Sequence, residues 1–182
     1  MSPTAIVILL GGWLAWMTPF FLIKKTRSAP QKLDRRARWG IVLQGVAFFL
    51  VWQGPFWTRS PEGWRLALSI VFFALGVALS WTSARTLGPQ WRFDAGLNRD
   101  HELVRSGAYG FIRHPIYASM IALLLGTGFL VARLPLLLLA LALHLAGTEI
   151  RVRIEDTLLA ARFGDQFRDY QTRVPAYIPF VR

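Results

Sequence analysis

Residues 101–117 read HELVRSGAYGFIRHPIY and form a polar insert between two long apolar runs of the chain. The insert contains two histidines, two tyrosines, two glycines, two arginines and a glutamate. In a membrane protein such a segment lies outside the hydrocarbon or lines a cavity, because polar and charged groups are costly in lipid. The insert is therefore the region where we expect a binding site.

The composition is typical of a membrane protein. The chain has 182 residues, of which 54% are hydrophobic and only 17% are charged, whereas soluble domains carry charge on about a quarter of their residues. The charged residues lie in blocks between apolar runs. This pattern leaves room for one small membrane domain and for no separate soluble domain.

Five apolar runs are candidates for membrane-spanning helices. They cover residues 4–23, 39–57, 66–84, 115–132 and 134–150. The first has 20 residues without a charge, which is enough to cross the hydrocarbon core. The fifth is short and contains His144 and Glu149, so it could end early and leave four spans. The sequence predicts an all-α, polytopic integral membrane protein with about five transmembrane helices.

Lysine and arginine are distributed unequally between the two sides that these spans define. Seven lie in residues 24–38, five in residues 85–113 and six in residues 151–182, whereas the other side has only Arg59, Arg65 and Arg133. Because basic residues accumulate on the cytoplasmic side, we expect the N-terminus outside and a basic cytoplasmic loop at residues 24–38. The polar segments, and any active site that they form, then face the cytoplasm.

Several kinds of site are disfavoured. The chain has no cysteine, which excludes disulfides and cysteine-bound metals. Its three histidines have no carboxylate at ligand spacing, so we predict no metal site. Residues 126–128 read Gly-Thr-Gly within a membrane run and follow no strand, so a Rossmann nucleotide site is not expected. The net charge of +11 suits anionic lipid headgroups, and we predict no nucleic-acid partner.

A second polar segment follows the last apolar run. Residues 148–170 have helical spacing with an interruption at Gly164. Arg151 and Glu155 are four residues apart and share a face of this helix. Such a pair, taken alone, is an exposed ion pair that contributes about 0.3–0.5 kcal/mol. Its position at the bilayer boundary, on the same side as the insert, makes a shared site the competing interpretation.

The residues of the insert also have simpler interpretations. Arg113 and His114 could anchor the fourth span at the headgroups, with Pro115 favoured in the first turn of the helix. Tyr109 and Tyr117 could be interfacial aromatic residues. These alternatives are open on the residues alone.

Taken together, the two polar segments resemble the isoprenylcysteine carboxyl methyltransferases and their phospholipid methyltransferase relatives. The first matching block is His-x-Leu-Val-x-x-Gly-x-Tyr-x-x-x-Arg-His-Pro-x-Tyr at residues 101–117. The second contains Arg151, the acidic pair Glu155-Asp156, Phe163-Gly164, Tyr170, and the sequence Arg-Val-Pro-x-x-x-Pro-Phe at residues 173–180. The resemblance covers about residues 85–182. It implies a methyltransferase core there, with a helical hairpin at residues 115–150, preceded by transmembrane helices at residues 1–84.

The resemblance implies S-adenosylmethionine as cofactor and assigns residues to the site. Its cofactor contacts fall on His101, Glu102, Leu103, Val104, Tyr109, Arg113, His114, Pro115, Ile116, Tyr117 and Glu155. Arg151 would bind the substrate, and Arg151 and Glu155 would carry catalysis. A further polar contact of the family falls near Asp94, in a loop that matches poorly.

The reaction that the resemblance implies is carboxyl O-methylation of a lipophilic or prenylated substrate in contact with membrane lipids. Three alternatives are open. A phospholipid N-methyltransferase would need a base near an amine nucleophile, and an NADPH-dependent membrane sterol or ene reductase would need extra basic residues for a phosphate. A non-catalytic membrane scaffold or small transporter would need a central polar path. The sequence leaves the oligomeric state open.

Overall fold

Helices make up most of the structure, a computed structural model that describes residues 1–23, 32–54, 60–91, 96–97 and 102–178. Within these ranges the α-helices are α1 (Pro3–Leu22), α2 (Ala37–Val51), α3 (Gly63–Leu87), α4 (Pro115–Val131), α5 (Leu134–Phe163) and α6 (Asp165–Arg173). Short 3-10 turns occupy Gly88–Gln90 and Gly107–Gly110, and the two-residue strands Lys32–Leu33 and Gly96–Leu97 pair antiparallel. The predicted all-α class is confirmed.

Long apolar helices make this an integral membrane protein. Among the described residues, Pro3–Leu22, Gly63–Gln90 and Leu134–Phe163 are long and apolar enough to cross a bilayer. The helices α2 and α4 are apolar but shorter, with 15 and 17 residues. A 15-residue helix extends about 22 Å, less than the hydrocarbon core of about 30 Å. Crossing by α2 and α4 therefore stays a prediction, as does the orientation of the bundle.

One helix end differs from the sequence prediction. The run at residues 39–57 was expected to be one span, but α2 ends at Val51. The fifth run, at residues 134–150, joins the helix predicted from residue 148 onward, and together they form the 30-residue α5, which ends at Phe163. Two polar residues of the fifth run have partners: His144 packs edge-on against Phe48, with 5.5 Å between ring centroids, and Glu149 forms an ion pair with Arg153 one turn later.

The predicted interruption at Gly164 is confirmed. This glycine has a φ of +54°, it caps α5, and α6 begins at the next residue. A residue without a Cβ adopts this left-handed conformation at little cost. The turn allows α6 to fold back toward the beginning of α4.

The bundle is assembled from two close helix pairs, α3 with α4 and α2 with α5, and α1 packs on α3. The α2–α5 pair crosses at two glycines. A Cβ on Gly147 would lie 2.6 Å from the carbonyl oxygen of Gly40, and a Cβ on Gly40 would lie 2.5 Å from Cγ of Arg151. Small residues allow such close backbone approach in membranes. This crossing holds Arg151 directly against α2.

Polar side chains connect the remaining helices. The indole N–H groups of Trp13 and Trp16 on α1 donate to the hydroxyls of Thr127 and Ser119 on α4, each at 3.0 Å. Where α4 ends, the guanidinium of Arg65 donates to backbone carbonyl oxygens, including that of Phe129 at 2.9 Å. A cation at a helix C-terminus satisfies carbonyls that have no partner within the helix.

We expect Gly147→Ala to lower the stability of the protein. The added methyl group would meet the backbone of α2, which has no flexible atoms to move aside, so overpacking should cost about 1–3 kcal/mol. Thermal unfolding in detergent, followed by circular dichroism, measures the effect. Gly11→Ala is the matched control, because a Cβ at Gly11 meets no atom within 4 Å. Equal melting temperatures for the two variants would contradict the close crossing.

Candidate active site

The polar insert meets the C-terminal segment where α4 begins. The backbone N–H groups of Arg113 and His114 donate to the carbonyl oxygens of Pro175 and Ala176, at 2.8 and 2.7 Å. His114 is the N-cap residue of α4, and Pro115 occupies the first helical position as predicted. Residues 175 and 176, which follow α6, therefore hold the end of the insert in place.

Asp156 is the centre of a buried ionic cluster that joins three helices. Its carboxylate accepts from Nη2 of Arg113 at 3.0 Å and from Nε2 of Gln171 at 3.1 Å, and its other oxygen contacts Nε2 of His114 at 2.8 Å. Asp156 is only 8% exposed. A buried charge is tolerated when several hydrogen bonds replace its hydration. Asp156 thus holds the start of α4 against α5 and α6.

Glu155 lies beside this cluster and contacts the insert from the other side. One carboxylate oxygen is 3.4 Å from Nδ1 of His114, and the other accepts from the hydroxyl of Tyr117. The side chain of Glu155 is 24% exposed. The same imidazole is therefore held between two carboxylates, and the glutamate remains partly accessible.

Arg151 is buried, so the interpretation of an exposed ion pair is wrong for it. It is 5% exposed, it donates to Oε1 of Gln44 at 3.2 Å, and its guanidinium carbon lies 4.9 Å from the centre of the Tyr117 ring. An exposed pair of that kind does occur on the same helix, between Glu149 and Arg153. Stacking on an aromatic face is a favourable environment for arginine.

These side chains line a cavity of about 470 Å³. Of the residues predicted from the sequence, the lining includes Glu102, Leu103, Val104, Tyr109, Arg113, His114, Ile116, Tyr117, Arg151 and Glu155. Pro115 is fully buried in the first turn of α4 and is not part of the lining. His101 and Asp94 lie outside the described residues. The two polar segments, far apart in the chain, are thus brought together around one cavity.

The residues that line the cavity form two sets, which we call the polar end and the apolar arm. The polar end is formed by residues 102–104, Tyr109, His114 and Glu155. The apolar arm comprises lining residues of α1 and α2, namely Trp16, Met17, Phe20, Phe21, Ile41, Gly45 and Phe48. Arg151 and Gln44 also line the cavity. A small polar molecule and a hydrocarbon chain can therefore be accommodated in one space.

The electrostatics of the polar end favour a protonated histidine. Burial alone would lower the pKa of His114, but its hydrogen bonds to Asp156 and Glu155, together with their charges, outweigh burial and raise the pKa to about 9. Burial, with the nearby charge of Glu155, raises the pKa of Tyr109. Burial also raises the pKa of Tyr170 to about 12. At neutral pH these groups are hydrogen-bond donors and are not bases.

Sequence reasoning missed several residues of the site. Gln44 had a usable signal, since it is the one polar residue in the apolar run at residues 41–51 and such residues are often functional in membrane helices. Asp156 was noted only as part of an acidic pair. The aromatic residues Trp16, Phe20 and Trp91 gave no signal, because tryptophan and phenylalanine are equally typical of lipid-facing surfaces.

Comparison with known proteins gives a consistent result. A family model described as phospholipid methyltransferase matches residues 64–166. The protein-S-isoprenylcysteine O-methyltransferase of Schizosaccharomyces pombe is 35% identical over 85 residues, which cover 46% of this chain and 36% of that protein. The nickel-cobalt-cadmium resistance protein NccN of Alcaligenes xylosoxydans xylosoxydans is 30% identical over 161 residues, which cover 84% and 70%.

Among solved structures, the fold resembles that of a eukaryotic intramembrane Ras methyltransferase, an isoprenylcysteine carboxyl methyltransferase. The TM-score is 0.53 at 22% sequence identity, and the match covers 100% of this chain and 54% of the other. The fold is therefore that of the helical membrane methyltransferases. The chain belongs to the phospholipid methyltransferase family, and the resemblance predicted from residues 101–117 and the second block is confirmed. The chain spans about a third of the length of the Schizosaccharomyces pombe relative.

We expect the stability of the protein to fall as the pH rises from about 6.5 to about 9. The interactions of protonated His114 with Asp156 and Glu155 are fully present below the pKa of an unfolded histidine, 6.5, and are lost as the pH passes the folded value of about 9. Melting temperatures in detergent between pH 6 and pH 10 measure this dependence. In Asp156→Asn the slope should become shallower, and a flat wild-type profile would contradict the assignment.

Proposed function

We propose that the protein is an S-adenosylmethionine-dependent membrane methyltransferase that methylates the carboxylate of a lipophilic acceptor. The observation that carries this proposal is one cavity whose lining combines His114 and Glu155 of the polar end, the buried Arg151, and the apolar residues of α1 and α2. The proposal includes the cytoplasmic orientation of this cavity, which the distribution of basic residues favours.

The polar end has groups that suit the cofactor. Glu155 presents a partly accessible carboxylate that would balance the positive charge of a sulfonium or an ammonium group. Trp91 and Tyr109 offer aromatic surface in the lining, on which an adenine ring would stack. Residues 102–104 line the same cavity. The donor and acceptor types present therefore fit S-adenosylmethionine.

When bound, the cofactor supplies a methyl group on a sulfonium, which passes to an acceptor oxygen while the C–S electron pair remains on sulfur, so that a methyl ester and S-adenosylhomocysteine form. No proton changes place, because a carboxylate is already ionised at neutral pH. Arg151 would hold that carboxylate, since a guanidinium fork matches its two oxygens. The mostly apolar lining of the cavity would limit the water near the reacting atoms, which favours a step in which opposite charges disappear.

The protonation states favour a carboxylate over an amine as the acceptor. An ammonium acceptor must first lose a proton to a base, and the raised pKa values of His114 and Tyr109 make both unsuitable for that role. A phospholipid amine is the second candidate, because the matching family model is described as phospholipid methyltransferase and Arg151 would also suit a phosphate. Glu102, in the lining, would then be the base.

We expect the purified protein to bind S-adenosylhomocysteine and to methylate S-farnesylcysteine. Calorimetry in detergent measures the binding, and transfer of a radiolabelled methyl group measures the activity. Glu155→Gln should weaken S-adenosylmethionine more than S-adenosylhomocysteine, because only the former has a sulfonium. Arg151→Ala should retain cofactor binding and lose turnover at least about 100-fold.

Arg153→Ala is the matched control for Arg151→Ala, because Arg153 lies on the same helix with its side chain 79% exposed. This variant should behave like the wild type. Binding of NADPH without S-adenosylhomocysteine would contradict the proposal and favour a reductase. Methylation of phosphatidylethanolamine, and not of S-farnesylcysteine, would favour the N-methyltransferase.

We expect Gly45→Leu to reduce turnover of acceptors with long hydrocarbon chains. Gly45 lines the apolar arm, and a Cβ there meets no atom within 4 Å, so a larger side chain would fill space reserved for the acceptor without disturbing the protein. The KM for S-farnesylcysteine should rise several-fold, while S-adenosylhomocysteine affinity is unchanged. Gly11→Leu is the control, because Gly11 is equally open but does not line the cavity. An unchanged KM in Gly45→Leu would place the acceptor elsewhere.

A further inference from the structure

Gln44 is a buried amide in an otherwise apolar stretch of α2, and it lines the cavity at the point where α2 faces Arg151. Its exposure is 3%. A polar side chain in this position is costly unless both of its ends are paired. Both are paired here, and each partner lies on α5.

The hydrogen bonds fix the orientation of the amide. Oε1 accepts from Nη1 of Arg151 at 3.2 Å, and Nε2 donates to the hydroxyl of Thr148 at 2.9 Å. Because arginine has only donors, the oxygen of Gln44 must face Arg151. Thr148, one turn before Arg151 and fully buried, then anchors the other end of the amide. The guanidinium is thus held between this amide and the ring of Tyr117, 4.9 Å away.

We propose that Gln44 is a positioning residue for the acceptor: it orients the Arg151 guanidinium so that the fork is presented to a carboxylate in the cavity. This rests on the proposed role of Arg151. A neutral amide suits the task, since it restrains the guanidinium without neutralising its charge. A carboxylate at this position would pair with Arg151 and compete with the acceptor. The site of recognition is therefore shared between α2 and α5.

The test is binding of acceptor analogues in the presence of S-adenosylhomocysteine, which separates acceptor recognition from turnover. S-farnesylcysteine and its methyl ester are titrated by calorimetry into wild type, Gln44→Leu and Gln44→Glu. In Gln44→Leu the affinity for the acid should fall about tenfold, as expected when a hydrogen bond to a charged group is lost. The affinity for the ester, and that for S-adenosylhomocysteine, should stay within about twofold.

Gln44→Glu keeps the shape of the side chain, so it guards against a result caused by poor folding. It should bind the acid more weakly than Gln44→Leu does and the ester as the wild type does. Thr148→Val, which removes only the anchor of the amide, should lie between Gln44→Leu and the wild type. Gln53→Leu is the matched control, because Gln53 is an exposed amide just after the end of α2, and it should change none of these values.

An unchanged acid affinity in Gln44→Leu and Gln44→Glu would overturn the proposal. Equal losses for acid and ester would also overturn it, because they would indicate a packing role only. Failure of the proposed function is distinguishable, since the wild type itself would then bind no S-adenosylhomocysteine, or would bind S-adenosylhomocysteine but not the acid. In the expected case, the ratio of acid to ester affinity changes while the cofactor affinity does not.

Discussion

The contact between Asp156 and the pair Arg113–His114 is the interaction on which the rest of the site depends. The aspartate is 43 residues from one partner and 42 from the other, and it closes the start of α4 against α5. The insert is also held by backbone hydrogen bonds to residues 175 and 176 and by the contacts of His114 and Tyr117 with Glu155. A buried ion pair of this kind adds little net stability, but it penalises every arrangement in which one partner is left alone. It thereby selects the arrangement in which the cavity exists.

The polar cluster requires a rigid bundle around it, and the glycine crossing of α2 and α5 supplies one. Because backbones touch at Gly40 and Gly147, the two helices cannot slide without a clash. Arg151 lies one turn beyond Gly147, so the same crossing fixes its position relative to α2. The position of the Arg151 guanidinium is therefore determined by the packing of two helix backbones. The position of the Glu155 carboxylate is determined by its contacts with His114 and Tyr117 of the insert. Two independent constraints meet in one cavity.

Much of the fold could be predicted because apolar runs and charges are segregated along the chain. The prediction was wrong for the end of α2, which lies at Val51 and not at residue 57. We expected the two polar segments to meet, because of the family resemblance and because both were predicted on the same side of the membrane. The roles of Asp156 and Gln44 were not expected, since the partners of Gln44 are 104 and 107 residues away. The spacing of residues along the sequence contains no information about such distant pairs. The boundary between the transmembrane helices at residues 1–84 and the methyltransferase core at residues 85–182 stays a prediction.

Arg151 and Glu155 lie on successive turns of one continuous helix, and this has a consequence for how the family can evolve. Four residues of α-helix correspond to a rise of about 6 Å, and the two side chains leave the helix in nearly the same direction. The helix backbone therefore fixes the spacing between the Arg151 and Glu155 side chains. Insertion of one residue between them would rotate one group by about 100° relative to the other. Substitutions in the walls can therefore change the cavity while this spacing is kept, whereas an insertion or deletion between residues 151 and 155 would separate the two groups.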